Sequence, residues 1–264
     1  MFQRKGRKTP YEKELELIKI KEAKYLEKRT QKSESALDKK LAEYVPDKLQ
    51  GTLDVAFASA FKLVFEKGTK LIEKTYDRKE LEKTYKINEF TQQVKQDKKS
   101  LRTFSKQAGK TGAVNTLVSG VSGIGLGLLG IGLPDIPLFT GIILKNIYEI
   151  ALNYGYQYDT EGERYFILKL IQGALSYGGQ VKVVEEELSQ YMRTGRLPED
   201  YQRDQQIKAA ARVLSKELLY MKFLQGIPIV GVIGGAYDMI CMKQIAEYAG
   251  IKYRVRFMEE KYEL

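Results

Sequence analysis

The chain has 264 residues, with 44 Lys/Arg against 34 Asp/Glu, one Cys and no His. That length supports a full hydrophobic core without disulfide staples. A lone Cys241 excludes an internal disulfide and any multi-cysteine metal site, and the absence of His excludes imidazole acid/base catalysis, Ser-His or Cys-His pairs and His-ligated metals.

The charge is uneven along the chain. Residues 1–110 carry 28 Lys/Arg and 17 Asp/Glu, a net of +11, whereas residues 111–264 carry 16 and 17. A basic half implies an anionic partner such as a membrane surface, nucleic acid or an acidic protein. The alternative is a solvated set of salt-bridged helices, because Glu is interleaved with the cations at helical spacing.

Residues 1–9 read as a disordered basic tail. No apolar signal-peptide core follows it, so the chain is expected to stay in the cytoplasm. From Pro10 to Arg29, Tyr11, Leu15, Ile18, Tyr25 and Leu26 fall at helical spacing. A short helix is predicted over 33–44, with Ser33 as its N-cap. Pro46 suits the first turn of a helix over 46–74, whose apolar face includes Leu53, Phe57, Phe61, Val64 and Phe65. Asp77, with Glu80 three residues later, opens another. Residues 92–110 read as a polar linker.

Thr111 to Leu144 is the most distinctive stretch: 34 residues with eight Gly and one charge, Asp135. Phe223 to Met242 repeats the character, with four Gly and one charge, Asp238. Each holds a Gly-x-x-x-Gly pair, Gly123/Gly127 and Gly231/Gly235, the spacing of closely packed helices. Gly132, Pro134 and Pro137 flank Asp135, and Pro228 marks the equivalent turn in the second stretch. The two stretches are either a diverged duplication or two core segments meeting the same demands. Val114 to Leu133 has the length of a bilayer span, but its Gly and polar residues leave insertion borderline. A tightly packed hairpin in a soluble or membrane-docked domain is favoured over insertion.

Between them, a helix is predicted from Asp135 to Tyr154, stopped by Gly155. Thr160 caps the next, to about Tyr177. Further helices follow over 180–193 and 199–223, and another runs to about Tyr248. Ile251 to Phe257 alternates weakly, as a short strand does. The fold class is therefore all-α: one multi-helix domain over 10–264, with basic amphipathic helices over 10–110 and a Gly-rich apolar core over 111–264.

Chemistry-bearing motifs are poor. Gly125-x-Gly127-x-x-Gly130 lacks the full helix that a dinucleotide site needs, since Pro134 follows four residues later. Gly120-Val121-Ser122-Gly123-Ile124 lacks the last Gly of a nucleophile elbow. No catalytic, cofactor-binding or metal-ligating set emerges, and no cofactor is implied. Asp135 and Asp238 are the candidate carboxylates. Asp135 reads as an N-cap or as a proton-handling group, and Asp238 as a mid-helix carboxylate that needs a partner.

The sequence resembles the EcsC family. The resemblance is carried by Val45-Pro46-Asp47-Lys48-Leu49, by Gly132-Leu133-Pro134-Asp135-Ile136-Pro137, and by Ile150-Ala151-Leu152-Asn153-Tyr154-Gly155. Gly226-Ile227-Pro228-Ile229-Val230-Gly231 and Tyr253-Arg254-Val255-Arg256-Phe257 complete it. It implies a bacterial, mostly helical protein whose namesake is encoded beside an ABC transporter's ATPase and membrane subunits. The expected function is that of a non-enzymatic accessory or regulatory protein at the cytoplasmic face of a bacterial membrane. Its expected partner is an anionic membrane surface or a membrane protein, including ABC transporter subunits. The alternative is a His-free, hydrolase-like enzyme using Asp135 and Asp238.

Overall fold

In the computed structural model, the described residues are 8–31, 39, 45–95, 97, 99, 101–103, 136–223 and 236–262. They form helices, with no strand among them. The elements are α1 (Pro10–Thr30), α2 (Asp47–Leu63), a π-turn (Val64–Gly68), α3 (Thr69–Glu73) and α4 (Arg78–Lys95). Then come α5 (Ile136–Asn153), α6 (Glu161–Leu175), α7 (Gly179–Thr194), α8 (Arg203–Phe223) and α9 (Ala236–Tyr262). Apart from residue 39, the predicted helix over 33–44 lies outside the described residues, as do both Gly-rich turns.

Local chemistry sets several of the helix ends. Thr9, placed in the tail by the sequence reading, caps α1 in a reciprocal box. The Glu12 N–H donates to Thr9 Oγ1 at 3.2 Å and the Thr9 N–H to Glu12 Oε2 at 2.6 Å. Asp77 Oδ1 accepts from the Glu80 N–H at 3.0 Å, and Thr160 Oγ1 from the Glu163 N–H at 3.2 Å. The end of α5 is a Schellman turn. The Tyr156 N–H donates to the Ala151 carbonyl at 2.9 Å and the Gly155 N–H to that of Leu152 at 3.0 Å, with Gly155 at φ +86°.

The hub is α6, on which every residue from Tyr165 to Leu175 is buried. It packs against α7, α8 and α9. Each large apolar side chain buried this way stabilises the fold by roughly 1.5–3 kcal/mol. Around that hub, α2 lies on α8, and α5 packs against α2, α4 and α9. Where α6 crosses α9, Gly173 admits the Tyr248 ring; a Cβ there would come within 2.7 Å of it.

Two expectations are corrected. Residues 92–95 continue α4 rather than starting a linker. Residues 251–257 are not a strand but the interior of α9. The alternation misleads because its polar positions are also covered: Lys252 is 1% exposed, and Arg254 and Arg256 pair with Glu14 and Glu163. A helix enclosed on several sides shows neither clean period.

Candidate functional site

Two kinds of candidate site occur among the described residues, and they differ in openness. The first is a set of buried ion pairs that ties helices together. Lys252 on α9 lies 2.8 Å from Glu22 on α1 and also pairs with Glu185 on α7. Tyr248 donates to Glu185 at 2.6 Å. Burial by itself lowers the Lys252 pKa, but the charges of Glu185 and Glu22 outweigh it and leave it raised.

A second node joins α6 to α9. Glu163 accepts from the Tyr253 hydroxyl at 2.6 Å and from Arg256 Nη1 at 2.9 Å. Arg256 lies over the rings of Tyr156, Phe166 and Tyr191. Burial raises the Glu163 carboxyl above the usual range, with Arg256 and Tyr253 opposing. In a third node, Tyr177 donates to Glu217 at 2.6 Å while Arg29 stacks over its ring at 4.5 Å. Each of these carboxylates is occupied by the groups that fold the protein.

The other arrangement is open. A cleft of about 480 Å³ runs between the α2–π-turn–α3 segment and the first turns of α5. Its size falls in the roughly 300–1,000 Å³ range of ligand pockets. Beyond Lys145 the α5 surface is closed, with every residue from Asn146 to Asn153 buried. Before it, Pro137, Leu138, Gly141, Ile142 and Lys145 line the opening. Leu138 is 55% exposed, and Leu63 on the facing wall 47%.

The π-turn shapes that facing wall. One extra residue per turn loosens the backbone ladder, and such turns concentrate at functional sites. Here Thr69 Oγ1 donates to the Val64 carbonyl at 2.9 Å, and Arg164 Nη2 to that of Phe65 at 3.2 Å. Phe65 thereby stays in the core, while Val64, Lys67 and Gly68 line the cleft.

The lower end of the wall is fixed separately. Tyr76 donates to Tyr158 at 2.8 Å, Tyr158 to Glu73 at 2.5 Å, and Arg78 pairs with Glu73 at 2.8 Å. Tyr158 stacks on Tyr148 of α5 at 4.1 Å. The Lys145 ammonium bridges the walls, donating to the Thr75 carbonyl at 3.2 Å with Glu149 3.9 Å away. Among the described residues Lys67 has no carboxylate within ion-pairing distance.

Of the residues singled out in the sequence, Pro137 lines this cleft and Gly155 makes the left-handed turn behind it. Asp135, Gly123, Gly127, Gly132, Pro134, Pro228, Gly231 and Gly235 lie outside the described residues. Asp238 belongs to α9, but its side chain is outside them too. The cleft itself was missed. Leu138, Gly141, Ile142 and Lys145 recur at helical spacing, but no pattern in one segment says that its face stays uncovered. Among the described residues no group of three or more acidic or Cys side chains is arranged to hold a metal, and no helix is long and apolar enough to cross a membrane.

The described residues form an all-α domain with an apolar cleft and buried ion pairs between its helices. The chain belongs to the EcsC protein family, whose sequence model matches residues 11–258. Neither a curated protein nor a solved structure is significantly similar to it.

Proposed function

We propose that this is a non-enzymatic accessory or regulatory protein that acts by docking on the cytoplasmic face of a bacterial membrane. The observation that carries this reading is the cleft mouth, where exposed Leu63 and Leu138 sit beside Lys67 and Lys145. An apolar edge rimmed by cations matches the boundary between anionic headgroups and acyl chains. Lys70 and Lys74 follow Lys67 along the chain and are exposed. Each cation near an anionic surface contributes about 1 kcal/mol, so a few suffice for reversible docking.

The rest of the basic half is partly committed elsewhere. Lys19 and Lys21 of α1 pair with Glu259 and Glu247 of α9, which supports the π-turn edge over α1 as the docking face. A membrane protein such as an ABC transporter subunit is the further partner consistent with this reading.

Membrane fractionation tests the proposal. Release of the native protein by high salt is the expected result. Retention through alkaline carbonate would replace docking by insertion of the Gly-rich stretches. Recovery in the soluble fraction from the outset would refute the reading.

A further inference from the structure

Docking at the cleft mouth leaves the cleft's own occupant to be identified. Its walls are apolar, with Val64 and Ile72 on one side and Ile142 on the other. Gly141 keeps one wall low: among the described residues, a Cβ added there would meet only Ile72, at 3.7 Å. Two cations, Lys67 and Lys145, come from opposite walls. We infer that the cleft holds one acyl chain of an anionic phospholipid, with the lipid phosphate between Lys67 and Lys145. This inference rests on the membrane reading above.

Shape and charge both favour this occupant. Besides the two lysines, Thr75 supplies the only hydroxyl among the described lining residues, so a peptide backbone would leave its polar groups without partners. A hydrocarbon chain carries no such requirement. Lys145 is held in place by the Thr75 carbonyl, whereas Lys67 is exposed and without a carboxylate partner among the described residues. That pairing suits a headgroup whose position is set on one side and adjustable on the other. A second copy docking through the same face would bring a second set of the lysines Lys67, Lys70 and Lys74 to the rim, which like-charge repulsion opposes.

The test uses the whole chain. The protein is floated with vesicles of phosphatidylglycerol and phosphatidylcholine, or of phosphatidylcholine alone, then recovered and weighed by native mass spectrometry. The expected result is flotation with the anionic vesicles and one phosphatidylglycerol retained per chain. Gly141→Leu should abolish retention while flotation and melting temperature persist. Lys67→Gln should weaken retention roughly fivefold, the effect of one cation.

Flotation with no lipid retained, or equal retention by Gly141→Leu, would overturn the cleft assignment and leave the membrane reading standing. A dimer that Gly141→Leu dissolves would do the same. Failure to float with either vesicle would remove both. Should Gly141→Leu not fold, Leu138→Trp decides, because it would be the sole Trp of the chain. Quenching by acyl-brominated phosphatidylglycerol in the recovered complex supports the assignment, and its absence overturns it.

Discussion

Tyr25 on α1 stacks on Tyr248 on α9, with ring centroids 5.2 Å apart and planes 22° from parallel. The Tyr25 hydroxyl reaches the Ala174 and Gln244 carbonyls, each at 3.3 Å. Tyr248 extends the same seam through Glu185 to Lys252. Helices from opposite ends of the chain are thus joined by one aromatic and ionic seam. Its weakest point to mutation is the buried charge.

Lys252→Met should destabilise the protein by about 3–5 kcal/mol, because it leaves two carboxylates facing a site with no cation. Lys19→Met breaks an exposed pair with Glu259 on the same helix pair and should cost less than about 1 kcal/mol. Urea unfolding of the two variants checks this. Equal losses would mean that the buried lysine is not the anchor.

Gly155→Ala should cost roughly 1–3 kcal/mol. Two effects add: the residue sits at φ +86°, and a Cβ would come within 2.5 Å of the Tyr85 ring. Tyr85→Ala in the same chain should recover only the steric part. A Gly155→Ala protein with an unchanged melting temperature would contradict the turn geometry.

Asn146→Leu should stabilise the fold by about 1–3 kcal/mol. Asn146 is 2% exposed, and among the described residues neither its Nδ2 nor its Oδ1 has a hydrogen-bond partner. Such a carboxamide forfeits its water without compensation. A rise in thermal midpoint is expected; a fall would mean that the amide has a partner after all.

Alkaline unfolding should track tyrosine ionisation. Burial pushes Tyr25, Tyr76, Tyr85 and Tyr165 up to about 12. In the unfolded chain these phenols ionise near pH 10. Their folded pKa is raised, so their contribution is fully present below about pH 10 and is lost as pH rises through about 12. Tyrosinate absorbance and circular dichroism should therefore change together in that window. Tyrosinate formation well before the helical signal falls would count against their burial.

Legibility in the sequence followed locality. The caps at Asp77 and Thr160 and the stop at Gly155 were readable because each is set by a few neighbouring residues. The single span expected over 46–74 is interrupted by the π-turn, since its face Phe57, Phe61, Val64 and Phe65 is equally apolar in either helix type. The strand expected at Ile251–Phe257 failed for a non-local reason: Glu14, Glu22, Glu163 and Glu185, which cover Lys252, Arg254 and Arg256, lie on α1, α6 and α7. The cleft was hidden in the same way, because an uncovered face is a property of two distant segments. Its cations, Lys67 and Lys145, look like any other surface lysines in the sequence.

The seam between α1 and α9 also dictates an order of events at the ribosome. The α1 helix is synthesised early, yet Tyr248, Lys252 and Arg254, which hold it, are made about two hundred residues later. At roughly 5–20 residues per second, α1 waits ten seconds or more for them. Its capping box favours the helix during that interval, while its apolar face of Tyr11, Leu15, Ile18, Tyr25 and Leu26 waits for cover. Translation halted before α9 would therefore leave α1 with only its contacts to the α6–α7 region, among them Tyr25 to the Ala174 carbonyl and Arg29 over Tyr177.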